Sequence, residues 1–100
     1  MGLDAYLEDE FGEELDSVLD EDGRLAALWP AGDPAYPMIR FVDAEGTTTF
    51  NRLQLAAVIP ELEALEKSAP PEIKAAAGRL LKLARKASSE PHLYLRFLGD

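Results

Sequence analysis

No cysteine occurs among the 100 residues, and there is one histidine and one tryptophan. Without thiols there is no disulfide framework, no thiolate nucleophile and no Cys-built zinc site. No apolar run approaches the roughly 20 residues that a membrane-spanning helix needs. The opening Met1-Gly2-Leu3-Asp4 lacks the basic and apolar regions of a secretory leader, and Tyr6 stands where myristoylation of Gly2 wants Ser or Thr. The expectation is a cytoplasmic protein with no membrane association. The length fits one domain, residues 1–100, able to bury a single core without a metal or disulfide staple.

Basic residues are absent from the first 23 positions, which hold ten of the 19 acids. The remaining nine acids face all ten bases, so the net charge of −9 belongs to one segment and the rest is nearly neutral. Lys74, Arg79, Lys82, Arg85 and Lys86 form a basic run in one later stretch. Such asymmetry most often marks solvated faces. Two sharper readings are that the acidic arm docks on the basic run, in its own or a sister chain, or that it steers a cationic partner. Nucleic acid is disfavoured, since phosphate binding wants a positive footprint.

Along the chain, Leu3, Ala5 and Leu7 alternate with Asp4, Tyr6 and Glu8, the period of a half-buried strand. This strand and the polar arm after it fill residues 1–23, where Phe11, Leu15, Val18 and Leu19 have near-helical spacing and predict a short helical turn. Arg24–Trp29 favours helix until Pro30 stops it. Three prolines, Gly32 and Asp33 make 30–37 a loop. Met38–Asp43 and Thr47–Asn51, β-branched and aromatic around Ala44-Glu45-Gly46, predict a β-hairpin over 38–51. Leu55, Val58, Ile59, Leu62 and Leu65 then fall on a helical stripe. Pro60 is compatible with it if the helix begins near Ala56 and runs to about residue 67, because the first turn has no intrahelical amide partners. A second helix, 71–88, starts at Pro71 and buries Ile73, Ala77, Leu80, Ala84 and Ala87. Residues 92–98 alternate again. The fold class expected is therefore α+β in two layers: an antiparallel sheet of about four strands, its terminal strands paired, with two amphipathic helices on one face.

Tyr36-Pro37, Arg40-Phe41-Val42-Asp43, Gly46-Thr47, Phe50-Asn51 and Gln54, with Pro91-His92-Leu93-Tyr94-Leu95-Arg96-Phe97, resemble a set of small bacterial proteins with no assigned activity. The resemblance covers most of the chain after about residue 36, and the acidic arm matches less clearly. It implies no catalytic residue.

Tests for chemistry come out negative. Asp20-Glu21-Asp22-Gly23 does not fit a calcium loop: with Gly23 at position 6, Val18 and Trp29 fall on the ligand positions 1 and 12. His92 is the one imidazole and no carboxylates have ligand spacing with it. Ser17, Ser68, Ser88 and Ser89 sit in cap or loop contexts, and no glycine-rich phosphate loop exists. No metal, cofactor or catalytic residue is expected.

What remains is surface. With Leu3, Leu7, Leu93, Leu95 and Phe97 turned to the helices, Tyr6, His92, Tyr94 and Arg96 face outward, and Arg40 joins them from the hairpin. Tyr and Arg are favoured in protein recognition; the plainer alternatives are solvated residues, or a face covered by the Trp29–Tyr36 loop. Trp29 is expected to pack that loop on the core. Three functions follow. The first is a non-enzymatic protein-binding domain, with Glu13, Glu14, Asp20 and Glu21 steering a basic partner, for instance as an immunity-type inhibitor of a toxin. The second is a ligand-binding domain or enzyme holding an anionic molecule on Arg40, Arg96, Tyr94 and His92. The third is a structural homodimer with the arm of one chain on the basic helix of the other.

Overall fold

The structure, a computed structural model, describes residues 2–100. Four strands and three helices follow in the order β1 (Leu3–Glu8), β2 (Glu14–Val18), α1 (Arg24–Leu28), β3 (Thr47–Phe50), α2 (Arg52–Ser68), α3 (Pro71–Ser88) and β4 (Tyr94–Gly99). The strands form one antiparallel sheet in the order β2-β1-β4-β3, so the first and last strands are its central pair. The two long helices pack together and against one face, giving the two-layer α+β architecture. Among the described residues, no helix is long and apolar enough to cross a membrane.

Alternation drives the layering. Leu3, Ala5 and Leu7 of β1 and Leu95 and Phe97 of β4 are buried, while the residues between them are half-buried or exposed. Leu55, Val58, Leu62 and Leu65 of α2 and Ala77, Leu80, Leu81, Leu83, Ala84 and Ala87 of α3 close over that face. Phe97, fully buried, sits at the centre: its ring centroid lies 5.2 Å from that of Trp29 and 6.0 Å from that of Phe50. Gly99 ends β4 where the chain passes so close to the Ala44 backbone that a side chain has no room.

The expected hairpin over 38–51 does not form. Ile39–Phe41 is a 3₁₀ turn, and β3 pairs with β4 instead of with residues 38–43. The buried residues of this stretch are Ile39 and Val42, three apart, whereas Phe41 is exposed. A strand would put Ile39 and Val42 on opposite faces; a 3₁₀ turn puts both on the core. The Glu61 carboxylate holds the turn, accepting from the amides of Met38 (3.1 Å) and Ile39 (2.9 Å). Trp29 closes the same loop, donating from Nε1 to the Ile39 carbonyl at 2.8 Å. Because Trp29 lies on Phe97, whose side chain faces the helices, the loop seals the helix side and does not cross the open face.

The fourth strand comes from the acidic arm. Residues 14–18, expected to be irregular or helical, are β2, joined to β1 through a turn in which Asp9 accepts from the amides of Phe11 and Glu13, both at 2.9 Å. Of β2 only Val18 is buried, so the arm shows little strand periodicity. Helix α2 begins at Arg52, not near Ala56. Asn51 caps it by accepting from the Gln54 amide, and Gln54 returns the bond to the Asn51 amide, each at 2.9 Å. Pro60 is thus inside the helix. Ala56 and Pro60 both lie on its exposed side, so the carbonyl left without an amide partner faces water, not the core. The last strand begins at Tyr94, with Pro91 and His92 in the turn before it.

Candidate functional site

The open face is built by register. Its central row runs Ser17, Tyr6, Arg96 and Thr49 across all four strands. On one side lie Glu14, Glu8 and Tyr94; on the other lie Asp4, Leu98 and Thr47. The β1–β2 register slips between Leu7 and Glu8, leaving Leu15 as the extra residue, 51% exposed. Glu8 and Glu14 then stand directly opposite, a pairing that like charges disfavour. Arg96 offsets it: its Nε lies 2.6 Å from Glu8 Oε2, and its guanidinium sits 4.6 Å above the Tyr6 ring. Partial burial raises the Tyr6 pKa above the ordinary 10.0, with Asp4 and Glu14 adding to the rise and Arg96 opposing it. Three carboxylates against one guanidinium leave the face negative.

Of the five residues assigned to this face, Tyr6, Tyr94 and Arg96 are there. Arg40 is a correction: it belongs to the 3₁₀ turn, with its guanidinium 4.5 Å from the ring of Phe41. His92 lies in the turn before β4 with a positive φ of 67°, its Nδ1 3.3 Å from Glu10 Oε2. Of the four groups suggested for an anionic molecule, His92 and Tyr94 line one small cavity and Arg40 sits in the 3₁₀ turn. The charges of Arg96 and His92 are met by Glu8 and Glu10.

The acids assigned to steering divide in two. Glu13, Glu14 and Glu21 are exposed. Asp20 is half-buried, and its carboxylate accepts from the amides of Leu3 (3.0 Å), Leu25 (2.9 Å) and Ala26 (2.8 Å). It caps α1, whose N-cap position is held by Gly23, at φ +69° and with no side chain to do so, and ties that helix to the start of β1. Asp16 accepts from the Ser17 amide at 2.8 Å and binds Lys86 Nζ at 3.1 Å, so the arm does touch the basic helix of its own chain. These two bonds, the amide first, hold the Asp16 carboxyl below the ordinary carboxylate range.

A groove between β2 and α3 was not foreseen, because β2 itself was not. Two cavities of about 550 and 570 Å3 meet there, both lined by Ser17, Val18 and Arg79. One continues to Asp22 and Glu72, the other to Lys82, Leu83 and Lys86. The signal available was the turn-forming Asp9 and Gly12 directly after a clear strand. Among the described residues, no three His, Cys, Asp or Glu side chains are grouped to hold a metal ion. No protein-family model, curated protein or solved structure matches the chain.

Proposed function

We propose that the chain is a protein-recognition domain that takes a cationic partner on the open sheet face. The observation that carries this reading is the face itself: every long helix and the Trp29 loop lie on the other side, leaving Tyr6, Tyr94 and Leu98 outward among Asp4, Glu8 and Glu14. Aromatic area with directional polar ends supplies contact, and the carboxylates, with Glu13 at the rim, supply steering. An inhibitor of a basic protein is one form this takes. The pairing of Arg96 with Glu8 and of His92 with Glu10 weighs against a small anionic ligand.

The test uses a Lys/Arg-rich protein such as protamine as probe and isotope-labelled domain as reporter. Titration should shift the amides of Tyr6, Tyr94 and Arg96, and raising the salt should reverse it. Replacing Glu13 and Glu14 by Gln should weaken binding by about fivefold, a rim-charge effect of modest size. Shifts confined to α2 or α3, or binding indifferent to salt, would remove the face from the function.

A further inference from the structure

Among the described residues, no strand lies beside the edge of β2 that faces away from β1. Ser17 stands opposite Tyr6, yet its amide donates to Asp16 Oδ1 and not to β1. Bonded and non-bonded pairs alternate in an antiparallel ladder, so Asp16 and Val18 bond to β1 while Ser17 turns its amide and carbonyl outward. The side chain of Asp16, held at its other oxygen by Lys86 at 3.1 Å, guards this donor, so an entering strand displaces that one carboxylate from the Ser17 amide.

Beneath that edge lies the groove against α3, with an apolar floor of Val18, Ile73, Ala76 and Leu83. Its charge is polar along its length. Lys82 and Lys86 line one part beside Asp16, Glu21, Asp22 and Glu72 line the other, and Arg79 lies between the two. Arg24 pairs with Asp22, which leaves Glu21 and Glu72 as the acids there without an ion pair among the described residues. Among the described residues neither Arg79 nor Lys82 has an ion-pair partner. Asp16 lies at the lysine end and Val18 reaches the acidic end, so β2 runs antiparallel to α3.

We propose that this edge takes up an extended segment of a partner protein by strand addition, antiparallel to β2. Backbone pairing to Ser17 supplies affinity, and alternate side chains of the segment drop into the groove. Antiparallel entry brings the amino-terminal side of the segment to Glu21, Asp22 and Glu72 and its carboxyl-terminal side to Lys82 and Lys86. The groove-facing positions therefore read cationic, apolar, apolar, acidic from start to end. A second copy of this chain does not fit that pattern, since its own β2 would bring Glu13, Glu14 and Asp16 against the same three acids. The edge shares Ser17 with the open face but uses its backbone and the helix-side groove, not the outward side chains of Tyr6, Tyr94 and Leu98, so this proposal and the reading above can fail separately.

The probe is a terminally blocked heptapeptide, Lys-Thr-Val-Thr-Val-Thr-Glu, compared with its reversed sequence. At millimolar concentration the forward peptide should slow hydrogen exchange of the Ser17 amide and shift the resonances of Val18, Lys82 and Leu83. Lys82→Glu with Lys86→Glu should weaken it about tenfold, the size expected for losing two exposed ion pairs and gaining repulsion. Arg79→Glu, which leaves the Asp16–Lys86 contact in place, should weaken it as well, and Tyr94→Ala should not. Equal binding of the reversed peptide, faster or unchanged exchange at Ser17, or shifts confined to Glu63 and Arg85 on the far side of α3 would overturn the proposal. So would a concentration-dependent dimer that protects Ser17 in the absence of peptide.

Discussion

The two faces of the sheet are made by the same four strands, yet they hold together by different physics. On the helix side Leu3, Ala5, Leu7, Leu95 and Phe97 meet α2, α3 and the Trp29 loop with almost no exposed area. There burial supplies the energy, and each side chain depends on the shape of its neighbours. On the other side Tyr6, Arg96 and Glu8 form a polar row that is partly wet. Their contacts set orientation and charge, and because the Arg96–Glu8 pair is half-buried its attraction is offset in part by the desolvation of both groups. One face carries the fold and the other is available for recognition.

The sharpest way to break this comparison is at Phe97. Phe97→Ala removes a fully buried ring that packs on both Trp29 and Phe50, and such changes cost about 3–5 kcal/mol. Tyr94→Ala, three residues earlier and on the other face, should stay within about 0.5 kcal/mol. Urea unfolding of both variants measures the difference. If the outer residue proves as costly as the inner one, the open face is part of the core and not a surface.

The second test divides the acidic arm. Asp20→Ala deletes a carboxylate that accepts three backbone amides from two separate elements, and should cost about 2–3 kcal/mol. Glu21→Gln, its exposed neighbour, should change stability by less than about 0.5 kcal/mol. Chemical denaturation of the two variants side by side reads the contrast. Comparable losses would mean that the arm is stabilised by its summed charge and not by the single cap.

The same contrast explains what could be read before the fold was known. β1 and β4 announce themselves because one face is wholly apolar, and the helices because their stripes are long. The pairing of the first and last strands, and Trp29 as the residue that fixes the loop to the core, were legible for similar reasons. β2 was not, since at an edge only Val18 is buried and the alternation vanishes. An expectation of about four strands that counts residues 38–43 meets a sheet of four whose extra strand is 14–18. Met38-Ile39-Arg40-Phe41-Val42 has strand composition, but the Glu61 carboxylate, more than 20 positions later in sequence, takes its first two amides and bends it into a turn. Asn51 and Gln54 show the opposite case: the capping box is present in the residues themselves, and a start near Ala56 follows only if Pro60 is kept in the first turn. Tyr6, Tyr94 and Arg96 were placed by parity alone. Asp20, by contrast, looks like any other acid of the arm until the amides of Leu3, Leu25 and Ala26 are seen around it.

The smallest expected effect lies on the outer face, in the titration of Tyr6. Its folded-state pKa is raised above 10.0, first by partial burial and then by Asp4 and Glu14, with Arg96 working the other way. A group whose pKa is raised on folding favours the folded state while it keeps its proton. The contribution of Tyr6 is therefore complete below pH 10 and is lost as the pH climbs through the raised value. Tyr6→Phe has no proton to lose and should flatten that alkaline decline, followed as melting temperature against pH. Glu14→Gln should bring the tyrosinate absorbance in at lower pH and Arg96→Gln should delay it, because each removes a neighbour whose field acts in a known direction. If Glu14→Gln leaves the titration unmoved, Glu14 does not face Tyr6 across the β1–β2 bulge, and the acidic rim assigned to this face would have to be redrawn without it.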